Sequence, residues 1–192
     1  MNVFIVHGYQ ASPEKHWFPW LVKKVQDTGS SCEIVHLEDA NQPQYAEWKQ
    51  GLEIQISPLN EQSIVIAHSL GCLSVLDFLS QALNGRSLKA IFLIAPFNER
   101  IASLPELNLF IDQANIQDGM IRSHIQQRYL FLSNDDPFVP APMSIRLGHL
   151  LNAQMVEVKG AKHFMAEDGV KEFPQLWERL QPLLSGNVVK NH

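Results

Sequence analysis

One serine, one aspartate and one histidine stand in this chain in the order and settings that acyl transfer requires. The stretch Ile64-Val65-Ile66-Ala67-His68-Ser69-Leu70-Gly71 runs an apolar strand into a serine and then at once into a helix-forming segment. In so tight a turn the residues two before and two after the serine must be small, and Ala67 and Gly71 are. Ala67 stands where such elbows usually carry glycine. Ser69 would then sit at a strand tip and at the N-terminus of the next helix, where unpaired N–H groups and the helix dipole favour negative charge. Small-x-Ser-x-Gly alone is a short pattern. Its place between an apolar strand and an amphipathic helix favours a nucleophile over an ordinary serine cap.

A serine hydroxyl needs a base, and the base needs an orienting acid. Both follow in chain order, each just beyond an apolar run. After Tyr129–Leu132 comes Ser133-Asn134-Asp135-Asp136-Pro137-Phe138-Val139-Pro140, and after Met155–Val158 comes Lys159-Gly160-Ala161-Lys162-His163-Phe164. Asp136 is favoured as the acid because it opens the Pro-Phe-Val-Pro turn. Asp135 competes with it, and whichever is not the acid is read as a turn-former bonding backbone N–H groups. His163 is favoured as the base. His68 is expected to be structural, its side chain turned away from the hydroxyl. His7, His36, His124 and His149 lie in a loop, a strand or helices and read as packed or solvated.

An oxyanion hole takes two donors. The N–H of Leu70 is the first. The loop His7-Gly8-Tyr9-Gln10 after the first strand supplies the second, with Tyr9 preferred and Gln10 next. Cys72 falls on the apolar side of the helix after the elbow, with no base implied, and reads as a buried core thiol. No metal is indicated, because the chain lacks Cys-x-x-Cys, His-Glu-x-x-His and an acidic calcium loop. No cofactor is indicated either: Gly8 stands alone after the first strand, without a phosphate loop or dinucleotide fingerprint.

These groups need a scaffold. Short apolar runs at Val3–Val6, Ile34–Leu37, Ile64–Ala67, Ala90–Ala95, Tyr129–Leu132 and Met155–Val158 read as strands buried on both faces. Between them lie stretches of helical period. One is expected to open at Ser12-Pro13 and carry Trp17, Trp20, Leu21 and Val25 inward. Others bury Cys72, Leu73, Leu76, Leu79 and Leu83, then Met143, Leu147, Leu150 and Leu151, and finally Phe173, Leu176, Leu180 and Leu183. Alternation of strands and helices implies a parallel sheet of about six strands with helices on both faces. Groups that act together on such a sheet gather at the carboxyl ends of its strands. Residues 97–127 are too long for a simple crossover; they read either as a small cap or as one ragged crossover helix. The tail 186–192 is expected to fray.

The 192 residues fit one domain. The formal charge of −5 and the lack of a Lys/Arg cluster make nucleic acid an unexpected partner. The start Met1-Asn2-Val3-Phe4-Ile5-Val6 has no basic region, so no signal peptide is expected, and no apolar run approaches the ~20 residues that span a bilayer. Cys32 and Cys72 fall in unlike contexts, which fits unpaired thiols in a reducing cytoplasm.

With these residues placed, the chain resembles the small serine hydrolase family that includes retinoblastoma-binding protein nine and its bacterial relatives. The likeness runs through Val6-His7-Gly8, His16-Trp17-Phe18-Pro19-Trp20-Leu21, Ala67-His68-Ser69-Leu70-Gly71-Cys72, Asp135-Asp136-Pro137-Phe138-Val139-Pro140 and Gly160-Ala161-Lys162-His163-Phe164. It implies a minimal α/β-hydrolase fold, a triad of Ser69, Asp136 and His163, and no cofactor. The vertebrate member carries a Leu-x-Cys-x-Glu peptide linked to retinoblastoma binding. Here the region reads Leu59-Asn60-Glu61-Gln62-Ser63, so that partner does not carry over. The expected activity is that of a carboxylesterase-like serine hydrolase on small esters or short amide substrates. Tyr9, Trp17, Phe97, Phe110, Phe138 and Phe164 are expected to line its pocket, and the chain to be a monomer or weak homodimer. The alternative is a non-catalytic binding module on the same fold.

Overall fold

The computed structural model of the chain describes residues 1–184; the tail expected to fray, 186–192, lies outside them. Six strands form one sheet: β1 (Asn2–Val6), β2 (Ser31–Val35), β3 (Ser63–His68), β4 (Leu88–Ile94), β5 (Ile125–Leu132) and β6 (Gln154–Glu157). All neighbours pair in parallel, in the order β2-β1-β3-β4-β5-β6. Successive side chains of a strand point to opposite faces, and here both faces are covered. Ile5, Ile66, Phe92 and Phe131 face α1 (Phe18–Gln26) and α7 (Pro174–Leu184), which bring Leu21, Val25, Leu176 and Leu180. Phe4, Val65, Ile91 and Leu93 face α2 (Tyr45–Gln55), α3 (Leu70–Ala82) and α6 (Ala141–Leu150), which bring Trp48, Leu52, Leu73, Leu76 and Leu147. This burial on both sides is why the strands read as continuous apolar runs.

The chain steps outward from β1 to β2 and then returns to the other side of β1 to lay down β3. The strand order reverses between β1 and β3, so a crevice opens at their carboxyl ends. The loops after these two strands are the ones that carry Gly8-Tyr9 and Ser69.

Two helices differ from the sequence reading. α1 opens at Phe18, not at Ser12-Pro13: Pro19 occupies its first turn, where a missing N–H costs nothing. Residues 13–17 form turns and a bend that include His16, whose φ of 58° no right-handed helix can contain. Trp20, expected to point inward, is half-buried. The structure also contains α2, which that reading does not single out. Between β4 and β5 lie a 3₁₀ turn (Pro105–Leu107), α4 (Asn108–Ile111) and α5 (Asp118–His124). α5 packs on α3 and leads directly into β5, while Leu104 and Glu106 reach the crevice.

Candidate active site

The elbow is built by close backbone contact. Ser69 stands at φ 54°, ψ −124° between β3 and α3. Its N–H donates to Ile94 O on the neighbouring strand at 2.9 Å, and its carbonyl accepts from Cys72 N at 2.8 Å. A β-carbon on Gly71 would lie 2.3 Å from His7 O and 3.0 Å from Val6 O. One on Gly8 would lie 2.8 Å from His68 O and 3.0 Å from Ser69 Cβ. Glycine at both positions lets the β1 loop press against the elbow. Leu70 is the first residue of α3, so its N–H has no partner within the helix. In the facing loop Gln10 N–H is committed to Ala40 O at 2.8 Å. His7 holds the loop from below, accepting from Leu37 N at Nε2 and therefore donating from Nδ1 to Gly8 O.

The strand ends β5 and β6 bring the acid and the base. His163 Nε2 lies 2.9 Å from Ser69 Oγ, and His163 Nδ1 lies 2.8 Å from Asp136 Oδ2. The other oxygen, Asp136 Oδ1, accepts from Phe138 N and Val139 N, both at 2.9 Å. Those two bonds fix the carboxylate, whose side chain is 2% exposed. The imidazole then donates from Nδ1 and faces the hydroxyl with an acceptor at Nε2. Asp135 does something else. Its Oδ1 accepts from Ser133 Oγ at 2.6 Å and from Lys162 N at 3.0 Å, which ties the acid loop to the base loop. These two bonds, the Ser133 hydroxyl first, hold the Asp135 carboxyl below its ordinary range.

The base loop is clamped further. Asp168 Oδ2 accepts from His163 N and Met165 N, at 3.1 and 3.2 Å. His68 Nε2 lies 2.8 Å from His163 O and donates to it. Complete burial pushes the His68 imidazole well below its ordinary range and keeps it neutral, with the His163 ring next in effect. His16 anchors the same segment, its Nδ1 accepting from Ala166 N at 3.1 Å. Because Nδ1 is an acceptor it carries no proton, so the carboxylate of Glu167, 3.7 Å away, makes no ion pair with it.

Ser69 and His163 open onto a cavity of about 220 Å³. Tyr9, Leu104, Phe138 and Met165 give it an apolar side, and Gln10, Lys15, His16 and Glu167 a polar one. Four aromatic residues expected in its wall are elsewhere. Trp17 and Phe164 are fully buried among Phe18 and Phe173 under α1 and α7, and Phe97 is 1% exposed in the opposite core. Aromatic rings near a strand end have core to fill, and the sequence does not say which way they turn. Phe110 lines a neighbouring cavity of about 390 Å³ that shares Tyr9 with the first. The Tyr9 hydroxyl reaches Glu106 Oε1 at 3.4 Å between the two. A roomier depression of about 520 Å³, lined by Leu59–Gln62 and Gly85–Ser87, sits at the amino ends of β3 and β4, away from Ser69. Among the described residues no group of three or more His, Cys, Asp or Glu is placed to hold a metal ion. None of their helices is long and apolar enough to cross a membrane.

A family model described as serine hydrolase matches residues 3–182. The chain belongs to the serine hydrolase family. As expected from its motifs, it is a hydrolase with the α/β-hydrolase fold. This serine hydrolase is 31% identical over 184 residues to YdeN of Bacillus subtilis (strain 168), a protein named as a hydrolase, covering 96% of each chain. The crystal structure of the ydeN gene product matches with a TM-score of 0.91, covering 96% of this chain and 99% of that one. A YdeN-like protein from Pectobacterium atrosepticum matches at 0.73, with 20% identity and 96% and 91% coverage. Est1E from Butyrivibrio proteoclasticus, solved with ferulic acid bound, matches at 0.65 with 14% identity over 94% of this chain and 89% of that one. The last two likenesses are of fold.

The structure of this serine hydrolase brings Ser69, Asp136 and His163 together and sets Leu70 and Tyr9 beside them. It also places His16, Asp168 and Glu167 at the site, which motif reading passes over. His16 sits inside a quoted motif, but its partner Ala166 is 150 positions away, and nothing local signals the pairing.

Proposed function

We propose that this serine hydrolase cleaves small carboxylic esters or short amide, peptide-like substrates through an acyl-enzyme on Ser69. The unbroken hydrogen-bonded chain from Ser69 Oγ through His163 to Asp136, with steps of 2.9 and 2.8 Å, carries the reading. Ser69 Oγ attacks the carbonyl carbon as His163 Nε2 takes the hydroxyl proton. The carbonyl electron pair moves onto oxygen, where the N–H groups of Leu70 and Tyr9 receive it. Collapse breaks the bond to the leaving group, which departs with the proton held by His163. Water then adds to the acyl carbon by the same path in reverse and frees the acid. Asp136 keeps His163 in the tautomer that accepts at Nε2 and stabilises its cationic form.

Substrate size follows from the cavity. About 220 Å³ is below the ordinary range for drug-sized ligands, so the reacting end of the substrate is small. A reducing cytoplasm suits the two thiols, both free and buried, which lie in the separate cores on opposite faces of the sheet and could not pair.

A fluorophosphonate probe tests the reading. It labels wild type covalently, and Ser69→Ala, folded by circular dichroism, takes no label. Absence of labelling in folded wild type, or labelling that survives in Ser69→Ala, refutes it.

A further inference from the structure

His16 lines the cavity with one of its two ring nitrogens committed. Nδ1 is taken by Ala166 N–H. The neutral imidazole therefore carries its proton on Nε2. Burial lowers the His16 pKa, first among its causes, so the neutral form persists at physiological pH. Its side chain is only 5% exposed, yet it lines the cavity together with Ser69 and His163. No protein acceptor for Nε2–H occurs among the described residues. The His68 ring lies 5.6 Å away between centroids and makes no hydrogen bond to it. With no protein partner and not sealed from solvent, Nε2–H is open to the cavity; a ligand that displaces water there must supply an acceptor or leave the donor unpaired.

The neighbouring charges narrow what that acceptor is. Lys15 and Glu167 both line the polar side, and the Lys15 ammonium is occupied by Gln10 O at 3.0 Å. One positive and one negative group beside a neutral imidazole give this side no net charge to favour a carboxylate, although the Lys15 ammonium keeps two further donors. The fitting partner is an uncharged oxygen.

Resting on the hydrolase reading above, we propose that His16 is a specificity residue. Its Nε2–H binds a neutral oxygen of the substrate other than the scissile carbonyl, so the preferred substrates are hydroxy-, alkoxy- or oxo-substituted acyl compounds rather than plain alkyl ones. A site built around a donor discriminates against the analogue that lacks the matching acceptor, because the bound analogue shuts water out and leaves the donor unpaired.

The test compares p-nitrophenyl methoxyacetate with p-nitrophenyl butyrate, which differ by one oxygen in place of one methylene. The variant is His16→Asn. Asparagine tolerates the left-handed backbone at φ 58°, and its short side chain keeps an acceptor for Ala166 N–H while losing the donor that reaches the cavity. The ratio of kcat/KM values, methoxyacetate over butyrate, falls about 5-fold or more from wild type to His16→Asn, chiefly through KM, as loss of one neutral hydrogen bond requires. His16→Gln, whose amide N–H reaches the Nε2 position, recovers part of the ratio. If both esters lose rate equally, His16 acts only on the 165–168 segment and the proposal fails; an unchanged ratio also defeats it. A second readout does not depend on turnover. In Ser69→Ala, the His16 Nε2 nitrogen-15 resonance shifts on titration with methyl methoxyacetate and not with methyl butyrate; equal response to both overturns the proposal. Failure of the hydrolase reading shows itself separately, as loss of fluorophosphonate labelling and of all ester turnover.

Discussion

At the residue scale the two adjacent aspartates show how position outweighs residue type. Asp136 is fixed by two backbone N–H groups through one oxygen and spends the other on His163. Asp135 spends its bonds on Ser133 and Lys162. In Asp136→Asn the amide N–H faces Nδ1 and favours the wrong imidazole tautomer. We expect kcat on a p-nitrophenyl ester to fall on the order of 10³- to 10⁴-fold with the fold intact. Asp135→Asn should cost far less in kcat and show its main effect as a lowered Tm. Equal losses in kcat would mean the wrong acid has been named. That Asp136 rather than Asp135 faces the base was legible from the Pro-Phe-Val-Pro turn that follows it. The pocket wall was not legible, because Trp17, Phe97 and Phe164 carry the same apolar signal whether a ring lines a cavity or fills the core. The sequence leaves Tyr9 and Gln10 both open, and it gives no sign that Gln10 N–H bonds Ala40 O, a contact between distant loops.

At the scale of elements, the site depends on how closely α3 and the β1 loop approach the strand tips. Gly71→Ala would set a methyl 2.3 Å from a backbone oxygen that cannot rotate away. The helix must shift, and a loss of at least the 1–3 kcal/mol typical of overpacking is expected, read as a lower urea midpoint. Gly8→Ala meets His68 O and Ser69 Cβ instead. Its strain falls on the β1 loop and the elbow, so kcat should fall proportionately more than stability does. The strands were readable because burial on both faces leaves unbroken apolar runs. α2 was hard to see for the opposite reason: it buries only Trp48 and Leu52, and its Ile54 turns to solvent and blurs the apolar stripe. α1 begins late because His16 interrupts the expected helix with a left-handed residue, which neither Ser12 nor Pro13 announces.

Taken whole, the molecule places Ser69 at a reversal of strand order and buries neutral histidines around it. His7, His16 and His68 all have imidazole pKa values lowered first by burial. A folded-state pKa below the unfolded value of 6.5 means that the unfolded chain takes up more protons as pH falls. Stability is therefore at its full value above about pH 6.5 and declines on acidification below it. For the fully buried His68 the slope reaches about 1.4 kcal/mol per pH unit. Urea midpoints measured from pH 7.5 to 5.0 should fall steadily, and His68→Gln should flatten the profile. A profile in wild type that is level across this range would contradict the assignment of a neutral, buried His68.

The backbone of Ser69, at φ 54° and ψ −124°, occupies a region that suits glycine and strains residues bearing a β-carbon. Holding it there costs on the order of 1–3 kcal/mol, supplied by the surrounding packing. Presentation of the hydroxyl and thermal robustness thus pull against each other at a single position. Ser69→Gly should abolish turnover while melting no lower than Ser69→Ala, so for this enzyme the inactive chain can be the sturdier one.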